Sequence, residues 1–162
     1  MRRQIWTVVS CAALGLSLVS CNNALDGSEQ FVVRLAGSNE VPARATGGSG
    51  AMGFVVRGNR VDYSIEVHGL GAITGAHIHS GAAGVNGPIR IALFPGPGSN
   101  ATSNPLTGVD GQLYEGSFEA ADVTGVSYTE LVSQMRAGTA YGNVHTTTYP
   151  GGEIRGQLQV VP

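Results

Sequence analysis

The clearest alternation in the chain runs from Val61 to Val67: Val61, Tyr63, Ile65 and Val67 are apolar, while Asp62, Ser64 and Glu66 are polar. Successive side chains on a strand point to opposite faces, so this stretch is a strand with one buried and one wet face. Met52–Arg57 reads as its partner, and Gly58-Asn59 lies in the turn between them. Both residues accept positive φ, which is what a two-residue hairpin demands. Phe31–Leu35 alternates poorly but is β-rich, and opens the sheet. Ala76–Ser80 and Gln112–Phe118 are further strands, as is the run in which Ile89, Ile91 and Leu93 alternate with Arg90 and Ala92. Tyr141–Thr147 and Glu153–Val160 form a last pair around the turn residues Thr148 to Gly152. Ser38–Gly50, Gly81–Pro88 and Pro95–Gly111 read as loops.

One stretch changes period. Tyr128, Leu131, Val132 and Met135 sit at i, i+3, i+4 and i+7, a helical stripe. Ser127 and Glu130 have capping-box spacing, and Gly138 supplies the stop. The stripe reads as a helix plugging one end of a β core rather than as a cofactor or partner groove. Many short strands with Gly-rich turns and a single short helix predict a mainly β fold, an antiparallel β-sandwich or barrel.

Composition fits that reading. Gly is 25 of 162 residues, apolar residues reach 42% and charged residues only 12%, enough to build a core in one domain. All nine basic residues are Arg, which reads as a compositional bias. The formal charge is −2, and loss of Arg2 and Arg3 with a leader takes it to −4, so nucleic acid is not an expected partner.

The first residues carry a leader pattern. Arg2 and Arg3 precede an apolar run, Ile5–Val19, too short to span a membrane comfortably. It ends in Leu18-Val19-Ser20-Cys21, which resembles the lipobox of bacterial lipoproteins. The resemblance implies a signal peptide over 1–20, lipidation of Cys21, a polar tether over 21–30 and the domain over 31–162. An ordinary secretory leader is the alternative. The partner implied is a membrane, held through lipid on Cys21. Asn22 after the Cys implies a cell-envelope location, the outer membrane if the cell is Gram-negative. Cys11 leaves with the leader, so the domain has no disulfide. Asn100-Ala101-Thr102 matches a glycosylation triplet, a chance match behind a bacterial leader.

The candidate chemistry lies in the histidines. His77 and His79 alternate with Ile78, so both rings lie on one face, their Cβ atoms about 6.5–7 Å apart. That is close enough to share one metal ion. If Ile78, Ile89, Ile91, Val144 and Ile154 face the core, then His77, His79, Arg90, Asn143, His145, Glu153 and Arg155 face out. His145 adds a third imidazole of the same parity on another strand. The metal candidates are therefore His77, His79 and His145, with copper favoured over zinc by the affinity order of imidazole sites. The plain alternative is three outward, wet histidines. Asn143, Glu153, Arg90 and Arg155 are candidates to support the ligands; Glu153 and Arg155 also read simply as a solvated ion pair. His68 has no neighbour at ligand spacing and reads as exposed. Gly81, Gly84 and Gly87 are turn residues. No catalytic group is named: Ser80 and His79 face apart, and no G-x-S-x-G turn occurs.

Three motifs together resemble the CHRD domain, named after chordin and found in many bacterial secreted proteins. They are G-A-H-I-H-S-G-A-A-G-V-N-G-P-I, then L-V-S-Q-M-R-A-G-T-A-Y-G-N-V-H-T, then P-G-G-E-I-R-G-Q-L. The resemblance covers roughly residues 31 to 160 and implies an extracytoplasmic β-rich module. A second likeness is to copper–zinc superoxide dismutase, whose barrel also carries an H-x-H strand and a later strand His. Carried over, His77, His79 and His145 match those copper ligands. The bridging His, the zinc set and the disulfide cysteines have no counterpart. The fold expected is thus superoxide-dismutase-like or Ig-like. Three functions follow as expectations: a lipid-anchored metal-holding domain, a metal-free module for an extracellular protein or matrix, and a copper-dependent redox enzyme. For the first, affinity is expected to weaken below about pH 6.5, where a free imidazole protonates.

Overall fold

A computed structural model describes residues 27–99 and 104–162. The expected leader, Cys11, Cys21 and the Asn100 triplet lie outside the described residues. Among the described residues nine strands and one α-helix follow in order: β1 (Glu29–Ala36), β2 (Ser49–Arg57), β3 (Arg60–His68), β4 (Ile73–Ser80), β5 (Ile89–Phe94), β6 (Gly111–Glu119), α1 (Tyr128–Arg136), β7 (Ala140–Thr146), β8 (Ile154–Gln157) and β9 (Gln159–Val160). The pairings are antiparallel, in the order β5-β4-β7-β8-β1-β2-β3-β6, with β9 added on β1.

The sheet curls until its ends nearly meet. Tyr63 Oη donates to Leu93 O at 2.7 Å, tying β3 to β5, and the Phe94 and Tyr114 rings approach edge-on at 5.7 Å. The mainly β, barrel-like fold with one short helix is therefore as the alternation predicts. The core fills with the expected parity: Val61, Tyr63, Ile65 and Val67 are buried, as are Phe31, Phe54, Ile78 and Val144. The hairpin turn is Gly58-Asn59, with Gly58 at φ +56°.

The helix starts where Ser127 accepts Glu130 N–H at 3.1 Å, and Gly138 follows its end at φ +66°. Leu131, Val132 and Met135 are buried and Tyr128 packs against the core. Glu130 Oε1 takes the Gln134 amide at 2.8 Å, one turn along.

Some details differ from the expectation: β1 begins at Glu29, inside the expected tether, and β4 at Ile73, ahead of the expected Ala76. β2 begins at Ser49, so the loop expected to Gly50 closes earlier, because Ser49 and Gly50 pair with His68 and Val67. The last strand breaks at Leu158, whose side chain is buried and whose N–H goes to Ala140 O. Ile89, expected in the core, is 45% exposed: it opens the edge strand β5, beyond the apolar layer that covers Ile91 and Leu93. Among the described residues no helix is long and apolar enough to cross a membrane.

Candidate functional site

β4 and β7 are neighbours next to the edge strand β5, and their register sets His77 opposite Asn143 and His79 opposite Tyr141, with His145 opposite Gly75. Ile78 and Val144 point into the barrel, so the polar partners share its other face. That much follows from parity. The surprise is burial: His77 and His79 are 7% exposed, His145 9%, Asn143 2% and Arg155 1%. This face is outside the apolar core but not wet, because loops 37–48, 81–88 and 147–153 fold over it.

The loops are tied down by long-range polar bonds. Asn86 Nδ2 donates to Val41 O at 2.8 Å, joining two of them. Arg155 lies under loop 81–88 and donates to Ala82 O, Val85 O and Asn86 Oδ1 at 3.1, 2.8 and 3.1 Å. Its guanidinium sits 3.4 Å from the centre of the Tyr141 ring, and that ring stacks on His79 at 4.7 Å and 9°. Gly87 completes the lid: a Cβ there would overlap Ser80 O, so only glycine lets the loop return so close to β4.

The ring nitrogens have defined roles. His79 Nδ1 is 2.8 Å from Gly87 O, and His145 Nδ1 is 2.9 Å from Pro150 O. A carbonyl oxygen can only accept, so both Nδ1 atoms carry hydrogen. In the neutral rings both Nε2 atoms are then bare. These two bare nitrogens lie 3.1 and 3.0 Å from the same atom, Asn143 Oδ1. His77 Nδ1 lies 2.9 Å from His145 Nε2. One ligand atom from each of the three histidines falls within 4.8 Å of the others. Metal–imidazole bonds of about 2.0–2.1 Å place ligand nitrogens roughly 3.3–3.6 Å apart, so modest ring movement would close them on one ion.

Electrostatics keeps the rings neutral. Burial, reinforced by His145 and His79, pushes His77 down to about 3. Burial also lowers His79 and His145, against the pull of the Gly87 and Pro150 carbonyls. Protons therefore compete for these nitrogens only at pH below the 6.5 expected for free imidazole, furthest below at His77.

The supporting candidates divide. Asn143 reaches two imidazoles. Glu153 is buried but accepts from Thr46 Oγ1 at 2.6 Å and Thr146 Oγ1 at 2.5 Å, rather than from a ring or from Arg155. Arg90 lies apart from the cluster, donating to Ser80 Oγ at 2.7 Å and Thr124 O at 3.2 Å. His68 is exposed, between Asp110 and Glu66 at 2.9 and 3.1 Å, and both carboxylates raise its pKa. Two groups were missed from sequence. Tyr141 shares the parity of Asn143 and His145, which could have revealed it. Glu40 sits in a loop of small residues, where no periodicity marks it.

Neither a curated protein nor a solved structure matches this chain. A family model, that of the CHRD domain, matches residues 31–158, a span that holds the barrel, the covering loops and all three clustered histidines. The chain belongs to the CHRD domain family.

Proposed function

We propose that this domain holds one metal ion, copper, through His77, His79 and His145, and that it stores or buffers the metal outside the cytoplasm, anchored by lipid on Cys21. The observation that carries the metal reading is the pairing of bare nitrogens. Two Nε2 lone pairs and an Asn143 oxygen converge at 3.0–3.1 Å, with the ring hydrogens drawn outward by two backbone carbonyls. His77 Nδ1–H can serve His145 Nε2 at 2.9 Å, but His79 Nε2 and Asn143 Oδ1 still face each other as two acceptors, which is repulsive unless something electropositive lies between them. Carbonyls that fix the outer ring nitrogen of a histidine are the usual support of a ligating imidazole. The competing arrangement turns the Asn143 amide so that its NH2 serves both nitrogens, which needs no ion and suits an interaction module.

Copper is favoured because neutral imidazoles bind it more tightly than other first-row divalent ions. The test is calorimetric titration of Cu(II) into wild-type protein and a His77→Ala/His79→Ala variant, with metal content measured on untagged protein. Stoichiometric binding by the wild type, lost in the variant, supports the reading. Equal binding by both overturns it. Retention of the chain in a membrane fraction, abolished by Cys21→Ser, tests the anchor.

A further inference from the structure

Among the described residues, Glu40 is a buried acid that the fold itself leaves unexplained. It is 7% exposed, and its Oε1 has no hydrogen-bond partner. A buried carboxylate oxygen without a partner is costly, and the other buried acid, Glu153, has both oxygens taken by threonine hydroxyls. Burial raises the pKa of Glu40, opposed first by Arg155.

Its position is informative. A side chain at Gly152 would overlap Glu40 Oε1 and lie 3.0 Å from Asn143 Nδ2, so these two atoms crowd the same vacant space. The other end of that amide, Oδ1, touches His79 and His145. Glu40 thus lies across one side chain from the imidazole cluster. The loop holding it is fixed by Asn86 Nδ2 on Val41 O and by Arg44 N–H on Gly37 O, 2.8 and 2.9 Å.

Charge gives this placement a purpose. Three neutral imidazoles bring no negative charge, and the buried Arg155 adds a positive one that acts on both His79 and Glu40. A divalent ion among the rings would be an unbalanced charge in a dry pocket. We propose that Glu40 is the charge-balancing member of the His77–His79–His145 centre, favouring a divalent over a monovalent ion. This rests on the metal reading above.

The test uses the full chain and Glu40→Gln, which keeps shape and removes charge. Zn(II), Cu(II) and Cu(I) affinities are measured by competition with colorimetric chelators, the last under reductant. Coulomb energy scales with the charge of the ion, so a loss of roughly thirtyfold for the divalent ions corresponds to about fivefold for Cu(I). Glu40→Asp, which keeps the charge, should retain the preference. Urea midpoints at pH 7.5 should show Glu40→Gln at least as stable as wild type, since burial disfavours the carboxylate by more than Arg155, Val41 N–H and Arg44 favour it. Unchanged divalent affinity in Glu40→Gln, or equal losses for all three ions, overturns the role of Glu40 while leaving the histidine site standing. Failure of the wild type to bind any of the ions removes the metal reading itself, and this role with it.

Discussion

Acid should weaken the metal-free fold through His77, by an amount that can be worked out. In the unfolded chain a histidine titrates near 6.5, whereas burial holds His77 at about 3 in the folded protein. Between those values the unfolded chain binds the extra proton, so stability falls as pH falls. At pH 5 the difference from neutrality is about 1.5 units on the unfolded side, and at about 1.4 kcal/mol per unit it comes to about 2 kcal/mol. His77 is 7% exposed, so solvent screening takes little from this. His79 and His145 are also lowered and act in the same direction. His68 and Glu40 act oppositely: the raised pKa of His68 gives stability that is present below 6.5 and lost as pH rises through its folded value. The raised pKa of buried Glu40 likewise favours the fold as pH falls, which is why the comparison with a His77 variant isolates the His77 share. Lowered Glu29 and Asp62 lose their contribution only in more acid solution than this window. The assay is urea unfolding at pH 7.5 and 5.0 with chelator present. With a urea slope of about 2 kcal/mol/M, the midpoint should drop by about 1 M or more. His77→Leu should remove about 1 M of that drop. An unchanged wild-type midpoint, or the same drop in His77→Leu, refutes the reasoning.

Two further substitutions separate the lid from the core. Arg155→Met removes the guanidinium donor from Val85 O and Asn86 Oδ1 and leaves Ala82 O with Val85 N–H alone, and should cost about 2–4 kcal/mol in urea unfolding. Copper affinity should fall as well, since loop 81–88 carries the Gly87 carbonyl that orients His79. Leu131→Ala opens a hole under the fully buried helix face and should cost about 2–5 kcal/mol. The folded protein should then bind copper as the wild type does, and an equal loss of affinity in both variants would show that the lid has no separate role.

What could be read without coordinates was whatever repeats locally. Val61–Val67 declares its buried face by period two, Gly58-Asn59 declares the turn, and Ser127 with the Leu131–Met135 stripe declares the helix. Parity alone put His77, His79 and His145 on one side of the sheet, and β4–β7 pairing brings them together. Burial of that side had no local signal. It depends on Arg155 reaching Ala82 and Val85, and on Asn86 reaching Val41, across separations of 73, 70 and 45 residues. The same applies to Glu40, whose neighbours Asn143 and Gly152 come from the far end of the chain. Ile89 had the right parity for the core but sits where the edge strand outruns it.

The imidazole trio straddles a wide gap in the chain, since His77 and His145 are 68 positions apart. An extended polypeptide can offer only the local His77–Ile78–His79 pincer, a far poorer chelator than three preset rings. Copper would therefore favour the finished barrel, and free metal at a hundred times its dissociation constant would stabilise it by about 2.7 kcal/mol. Assembly would come first and cargo second, so a bound ion would certify that the barrel had closed.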